Sequence, residues 1–112
     1  MEIREQEHST YITLSPVGDL DANSSVFLDE KIQGLLDNQQ YKIHVDAGDI
    51  PYISSAGLGV FISHVDELTR QGGKFVVSNL APNVAEVFKI LGLDQLENLV
   101  LLDEGKSVET YF

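Results

Sequence analysis

Two adjacent serines, Ser54 and Ser55, stand at the start of a predicted helix and are the residues of this chain best placed for chemistry. One serine before an apolar helical run is an ordinary N-cap, worth about 1 kcal/mol. The second serine is surplus to capping, and its hydroxyl would be exposed beside the helix N-terminus. A hydroxyl there is a good phosphorylation site, because the positive end of the helix dipole favours the added charge. Capping alone and a phosphorylation switch are both open on this pattern.

Two glycines, Gly57 and Gly59, follow in the first turns of the same predicted helix. Each costs roughly 1 kcal/mol relative to alanine in a helix interior. Close packing on a sheet would explain one of them. Two glycines indicate that something approaches these turns closely, either the sheet or a partner.

The residues that ordinary enzymes need are not arranged for catalysis. His8, His44 and His64 lie far apart in sequence, and none has a carboxylate or a second histidine at metal-ligand spacing. We expect His44 to pack in a strand and His64 to lie on a helix surface. The glycines fit neither a dinucleotide-binding nor a P-loop pattern, and the serines do not sit in a G-x-S-x-G elbow. We therefore expect no standard enzyme, no cofactor and no metal.

Charge and composition restrict the partners. The net charge is −11, from 7 basic and 18 acidic side chains, so phosphate backbones and anionic lipid surfaces would repel the chain. We expect no nucleic-acid partner and no membrane partner, and favour a protein partner with a basic face. The chain has no cysteine, which excludes disulfides and thiol catalysis. With a polar start that is no signal peptide and no long apolar run, this predicts a cytoplasmic protein.

The elements that must position the serines alternate along a single domain, residues 1–112. Alternation and apolar runs predict strands over 10–17, 41–47, 74–78 and 99–102, with a further strand over 1–8. Three amphipathic helices lie between them, with apolar stripes at Leu28 to Leu36, Leu58 to Leu68 and Val84 to Leu91. Asn23, Ser24 and Ser25 are N-cap candidates for the first helix. The 105–112 tail is expected to add one helical turn.

This order predicts an α/β fold with a mixed sheet of four to five strands and packed helices. Strands joined through helices must run parallel, whereas the first two strands, joined by a short connection, must run antiparallel. Functional sites of such sheets lie where strands end and helices begin. Ser54 and Ser55 are at one such junction.

Three segments of the chain resemble a known family, the STAS-domain anti-sigma factor antagonists (anti-anti-sigma factors) of bacterial partner-switching systems. GDLD at 18–21 is similar to the family's G-[ED]-L-D before the first helix, and VDAGDIPYISSAGLGV at 45–60 is similar to the segment around its D-S-[ST]-G-L-G-V motif. APNVAEVFKILGLD at 81–94 is similar to the segment that closes on a "GL" pair. The resemblance covers nearly the whole chain and implies the STAS fold.

The resemblance also implies roles for particular residues. The family's phosphoacceptor falls on Ser55, with Ser54 as a rival, and the aspartate that helps engage the kinase falls on Asp21. The partner-binding surface would comprise Asp21, Ser54, Ser55, Ala56, Gly57 and Leu58. The chain departs from the strictest motif because Ser54 replaces an aspartate and Ala56 replaces a serine or threonine.

By the same resemblance, the partner is an anti-sigma factor that is also a serine protein kinase with a histidine-kinase-like ATPase fold. The unphosphorylated protein would bind it and release its client, and phosphorylation would end binding. A metal-dependent serine phosphatase would reset the switch. Two alternatives stay open: a STAS partner switch with a target other than a sigma factor, and a STAS subunit of a lipid-transport ATPase complex. A nucleotide-binding STAS domain is disfavoured, because no phosphate-cradling loop is evident.

Overall fold

The computed structural model describes residues 1–102 and 107–112. Within them lie five strands and three α-helices in the predicted order. The strands are β1 (Glu2–Glu7), β2 (Ile12–Val17), β3 (Lys42–Asp46), β4 (Lys74–Ser78) and β5 (Leu99–Leu101). The α-helices are α1 (Ser25–Asp37), α2 (Ser55–Arg70) and α3 (Pro82–Ile90). Two short 3-10 turns, Leu93–Gln95 and Val108–Tyr111, complete the described elements.

The strands form one mixed sheet in the order β1-β2-β3-β4-β5. The β1–β2 pair is antiparallel, and every later pair is parallel. Both features were predicted, and the sheet has five strands, the upper end of the expected range. Because each parallel strand lies beside the previous one, right-handed crossovers place α1, α2 and α3 on one face of the sheet.

The core lies between that face and the three helices. Alternate strand residues, such as Ile12, Ile43 and Phe75, are paired across the sheet and point toward the helices. The predicted helix stripes supply the other half of the core. Phe61 of α2 packs edge-on against both Phe75 and Phe88, with ring centroids 5.5 Å apart in each pair. The core therefore fixes α2, which carries the two serines.

The opposite face of the sheet, called here the back face, is covered differently. Its central side chains, which include Thr13, His44 and Val76, are buried although α1, α2 and α3 all pack on the other face. Residues 107–112, called here the clasp segment, pack on this face. The predicted helical turn in the tail is confirmed at Val108–Tyr111, while positions 105 and 106 of that prediction lie outside the described residues.

Candidate functional site at the start of helix α2

An isolated backbone bridge joins two of the segments that resemble the family motifs, residues 18–21 and 45–60. Leu20 pairs in parallel with Ile53, although neither residue belongs to a named strand. The N–H of Leu20 donates to the Tyr52 carbonyl at 2.9 Å, and the N–H of Ser54 donates to the Leu20 carbonyl at 2.9 Å. The turn that holds Asp21 is therefore tied directly to the start of α2.

Ser54 caps helix α2, as predicted. Its backbone is extended, and its hydroxyl oxygen accepts a hydrogen bond from the Gly57 N–H at 3.3 Å. Its carbonyl accepts the first helical hydrogen bond, from the Leu58 N–H at 3.0 Å. The hydroxyl of Ser54 is thus engaged in its own helix, and the residue is only partly exposed.

Ser55 is the first residue of α2, and its side chain is exposed, as is that of Ala56. The N–H groups of a helix's first turn have no partner within the helix and form the positive end of its dipole. The Ser55 hydroxyl therefore stands at a point of positive potential that an enzyme in solution can reach. This geometry suits an acceptor of phosphate.

Gly57 differs from the expectation that it leaves room for a partner. A Cβ on Gly57 would lie 2.7 Å from the Leu20 carbonyl oxygen and 2.8 Å from Cγ1 of Ile53. Real Cβ atoms do not approach backbone so closely, so Gly57 is needed for the chain's own bridge to pass beneath α2. Leu58 is likewise buried, at 1% exposed, and packs in the core. In this motif, solvent reaches Ser54 in part and Ser55 and Ala56 freely.

Asp21 forms a capping box with Ser24 in the turn that leads into helix α1. Its carboxylate accepts hydrogen bonds from the N–H groups of Asn23 and Ser24, both at 3.0 Å, and the Ser24 hydroxyl oxygen accepts one from the Asp21 N–H at 2.9 Å. The Asp21 carbonyl accepts from the Ser25 N–H at 2.8 Å. This is a reciprocal capping box. Ser24, one of the three predicted candidates, is the N-cap residue of α1, although its hydroxyl makes no bond into the helix and bonds the Asp21 turn instead.

The charge of Asp21 is stabilised by this arrangement. The Ser24 backbone N–H and then the Ser24 hydroxyl hold the pKa of the Asp21 carboxyl below its ordinary value. A carboxylate that accepts such bonds stays ionised at neutral pH. Asp21 therefore carries a fixed negative charge in the turn that the Leu20–Ile53 bridge ties to the start of α2.

Exposed apolar side chains lie on α1, on α2 and in the loop before α2, and the sequence reasoning did not single them out as functional. Val26 and Phe27 of α1 are each 51% exposed, as is Tyr52, and Ile62 of α2 is 46% exposed. Val26 and Phe27 fall outside the α1 stripe, so their position off the buried face was the available signal. Beside them, α1 and α2 enclose a shallow groove of about 260 Å³ that includes Ala56 and Gly59. A Cβ at Gly59 would meet no atom within 4 Å, so that glycine leaves the groove open.

Helices α1 and α2 are also joined by a polar contact. Nε2 of His64 lies 2.7 Å from Oδ1 of Asp29. His64 is only 6% exposed, so the prediction that it lies on the helix surface was wrong. The helical period placed it near the edge of the apolar stripe, but the polar partner on α1 could not be read from α2 alone.

A larger concavity, of about 460 Å³, lies away from the serines beside Asn79 and Lys89. The described residues that line it include neither a histidine nor a carboxylate. Among residues 1–102 and 107–112 there is no group of three or more His, Cys, Asp or Glu side chains that could hold a metal ion. We therefore place the functional site at the serine pair, where exposed chemistry and fixed charge coincide.

Comparison with known proteins identifies the fold. The STAS domain family matches residues 2–104. The chain belongs to the STAS domain family. Among curated relatives, this STAS protein is 27% identical to the anti-sigma-B factor antagonist of Bacillus subtilis over 105 residues, which is 94% of each chain. None of the helices within the described ranges is long and apolar enough to cross a membrane.

Solved structures confirm the architecture of this STAS domain. The anti-sigma factor antagonist SpoIIAA in its unphosphorylated form superposes with a TM-score of 0.73 at 15% identity, covering 98% of this chain and 97% of SpoIIAA. The phosphorylated form of the Bacillus protein SpoIIAA superposes with a TM-score of 0.74 at 17% identity, covering 99% of this chain and 100% of SpoIIAA. These values show a shared α/β fold, as the sequence predicted.

Proposed function

We propose that this STAS protein is an anti-sigma factor antagonist whose binding is switched off by phosphorylation of Ser55. One observation carries the proposal. The exposed hydroxyl of Ser55 stands at the first position of α2, while the neighbouring Ser54 is engaged as the cap. The two serines thus divide two tasks, helix capping and phosphate acceptance.

The helix start can accommodate a phosphate without loss of the fold. A phosphate on Ser55 would add nearly two negative charges beside the unpaired N–H groups of α2, where negative charge is favoured by a few tenths to about 1 kcal/mol. In an interface, the same charge would be desolvated against a packed partner surface at a cost of several kcal/mol. Phosphorylation would therefore act on binding rather than on folding. The SpoIIAA structures support this view, because both forms share this chain's fold.

The proposed partner surface combines charge, the acceptor and apolar anchors. Asp21, Ser54, Ser55 and Ala56 supply its polar centre, since the Leu20–Ile53 bridge ties their segments together. Val26, which lines a groove with Ala56, and Tyr52, two residues before Ser54, supply exposed apolar area next to it. Aromatic and large apolar side chains commonly anchor interfaces, and charges set specificity and association rate. This surface fits a partner with a basic, partly apolar face.

The partner inferred for this surface is an anti-sigma factor that is also a serine protein kinase. Unphosphorylated, the protein binds the kinase and frees its sigma factor. After the kinase transfers phosphate from ATP to Ser55, the protein is released. A metal-dependent serine phosphatase removes the phosphate and restores binding. The protein itself contributes the acceptor and the interface and catalyses nothing.

Phosphate mapping with matched variants tests the acceptor. Wild type, Ser55→Ala and Ser54→Asn are incubated with the cognate kinase and ATP, and the modified residue is located by mass spectrometry. Asparagine caps helices as well as serine does but has no hydroxyl, so Ser54→Asn removes only the rival acceptor. We expect full phosphorylation of wild type and Ser54→Asn and none of Ser55→Ala. Phosphate on Ser55→Ala, or its loss from Ser54→Asn, would contradict the assignment.

The client of the kinase distinguishes the alternatives. Purification of the kinase complex from the native cell should recover a sigma factor, displaced by unphosphorylated protein. Recovery of a different client would make the protein a partner switch for a target other than transcription initiation. Recovery of a transport ATPase, with no phosphate on Ser55 in cells, would favour the transport-subunit function instead.

A further inference from the structure

Four polar side chains form a continuous hydrogen-bonded chain across the back face of the sheet. Nε2 of His8 lies 2.9 Å from Oγ1 of Thr13, which lies 2.9 Å from Nδ1 of His44. Nε2 of His44 lies 2.7 Å from Oγ of Ser78. Thr13, His44 and Ser78 are buried, and His8 is partly exposed. The switch at Ser55 uses none of them.

The hydroxyl and imidazole hydrogens of these four side chains limit how many extra protons they can share. Thr13 has one hydroxyl hydrogen and two imidazole neighbours, so it can donate to one ring and accept from the other. One extra proton is accommodated: a charged His8 donates to Thr13, Thr13 donates to Nδ1 of His44, and Nε2 of His44 donates to Ser78. A second extra proton, on His44, places two N–H donors on the Thr13 oxygen. The Thr13 hydroxyl hydrogen then has no acceptor among the four side chains. The charged rings of His8 and His44 also lie on either side of Thr13 and repel each other.

The clasp segment is held by the rings at one end of this chain. The ring of Tyr11 is stacked between His8 and Phe112, with centroid distances of 4.2 and 4.8 Å, and it meets His44 edge-on at 6.2 Å. The Tyr11 hydroxyl donates to Oε1 of Glu109 at 3.4 Å. A single charge on His8 suits this stack, since a cation over a tyrosine face is attracted to the ring.

The surroundings of His44 oppose a charge on it. Burial is the main reason that the pKa of His44 lies below its ordinary value of 6.5, and the nearby His8 acts in the same direction. Asp46 and Glu109 act in the opposite direction but do not outweigh burial. Among the described residues, the titratable and charged groups around His44 on this face are His8 after β1, Tyr11 before β2, Lys42 and Asp46 on β3, Lys74 on β4 and Glu109 in the clasp segment. Ser78 of β4, which bonds His44, is neutral.

We propose that the clasp segment is a pH-sensitive cover on the back face. It stays docked while the four-residue chain holds at most one extra proton, and it undocks when His44 also becomes charged. Undocking brings water to the back face, where water can accept the Thr13 hydrogen and solvate the second imidazolium. Because the folded pKa of His44 is lowered, the docked state is fully favoured above pH 6.5 and loses that advantage as the pH falls through the lowered value.

Nuclear magnetic resonance on the intact protein tests this cover from about pH 7.5 to about pH 4.5, the range in which histidines gain charge. The Hε1 shift of His44 reports its charge, and cross-relaxation between the Tyr11 and Phe112 rings reports docking. We expect the ring contact to vanish as His44 becomes charged. The protection of the Phe112 amide, measured against its intrinsic exchange rate at each pH, should fall about tenfold for each unit by which docking lowers the pKa of His44. Signals of the core residue Leu14 should persist. A ring contact that survives the charging of His44, or a core that unfolds with it, would overturn the proposal.

Variants distinguish the protonation of His8 and His44 from the effects of acid on other parts of the protein. His44→Gln can still bond both hydroxyls but cannot become charged, so the clasp segment should stay docked throughout the range. His8→Gln leaves a network that can hold only one extra proton, so the clasp segment should stay docked even though His44 gains its charge more easily without His8. His64→Gln changes a buried histidine that lies between α1 and α2, and undocking should follow wild type. If His8→Gln and His64→Gln both undock as wild type does, the hydrogen-bonded chain does not control the cover.

Discussion

The starts of α1 and α2 lie on either side of one backbone bridge, yet their polar groups are used differently. At the start of α1, Asp21 and Ser24 bond each other's N–H groups, so both side chains serve the turn that leads into the helix. At the start of α2, Ser54 serves the helix and the next hydroxyl, on Ser55, is left exposed. The first start, called here the closed cap, is the charged capping box of Asp21 and Ser24. The second, the open start, has Ser54 as its cap and the exposed Ser55 hydroxyl beside it.

This difference assigns distinct roles to two helix starts that look alike in sequence. A closed capping box holds its carboxylate in one position, which suits recognition by a partner. An exposed hydroxyl at a helix N-terminus can change its charge without disturbing the helix, which suits regulation. Substitutions on the two sides of the bridge should therefore affect stability and binding in different proportions.

The largest effect on stability is expected at Gly57, where α2 crosses the Leu20–Ile53 bridge. Gly57→Val would force a side chain against the Leu20 carbonyl and Ile53, so we expect it to lower the free energy of unfolding by about 3 kcal/mol. Gly59→Ala is the matched control, because its Cβ meets nothing and alanine favours the helix by about 1 kcal/mol. Urea denaturation measures both changes. Equal stabilities for the two variants would show that Gly57 does not support the bridge.

A smaller effect is expected at the closed cap. Asp21→Ala removes both the cap and the charge, whereas Asp21→Asn keeps the cap and removes only the charge. Both variants should associate with the kinase more slowly, with a difference from wild type that shrinks in high salt. Only Asp21→Ala should also melt at a distinctly lower temperature. Surface-plasmon resonance measures the association rates, and thermal melts measure the stabilities. If both variants melt at the same temperature, the hydrogen bonds of the Asp21 side chain do not stabilise the start of α1.

Acid should remove what the Asp21 charge contributes to stability. The pKa of Asp21 is lowered in the folded chain, so this contribution is complete above its ordinary value of 3.8 and disappears as the pH falls through the lowered value. The melting difference between wild type and Asp21→Asn should follow the same course. A difference that persists in strong acid would mean that it does not arise from the carboxylate's charge.

The smallest effect on stability is expected at the open start of α2. Ser55→Asp places a charge at the favourable end of the helix dipole, so the free energy of unfolding should change by less than about 1 kcal/mol. Binding to the kinase should nevertheless weaken by on the order of a hundredfold, since the charge would be buried against the partner. Ser55→Ala should bind as wild type does. A Ser55→Asp protein that melts early would show that the charge acts on the fold rather than on the interface.

The general architecture could be predicted because it depends on local patterns. Alternating and helical apolar periods located the strands and helices, and short or long connections settled which strand pairs are antiparallel or parallel. The cap at Ser54 also followed from sequence, because a serine just before an apolar helical run bonds its own first turn. These features depend on residues close together in the chain.

The errors have one physical cause, which is contact between distant segments. Gly57 was assigned to a partner because the Leu20–Ile53 bridge beneath it joins residues from separate loops. His64 was placed on a surface because its companion, Asp29, lies on another helix. The joining of His8 to His44 through Thr13 was missed for the same reason. The roles of Asp21, Ser54 and Ser55 in partner binding stay predictions, since they depend on a second protein.

The bridge between Leu20 and Ile53 also makes the position of the two loops independent of the side chains at the proposed partner surface. It is made by backbone groups alone, so its geometry does not depend on which side chains follow it at positions 21, 54, 55 and 56. Those side chains can diverge while the two loops stay in register. The family-like motif of this protein has Ser54 in place of an aspartate and Ala56 in place of a serine or threonine, and the Leu20–Ile53 bridge still forms. A cell that holds several such switches could thus give each its own kinase by exchanging side chains on an unchanged frame.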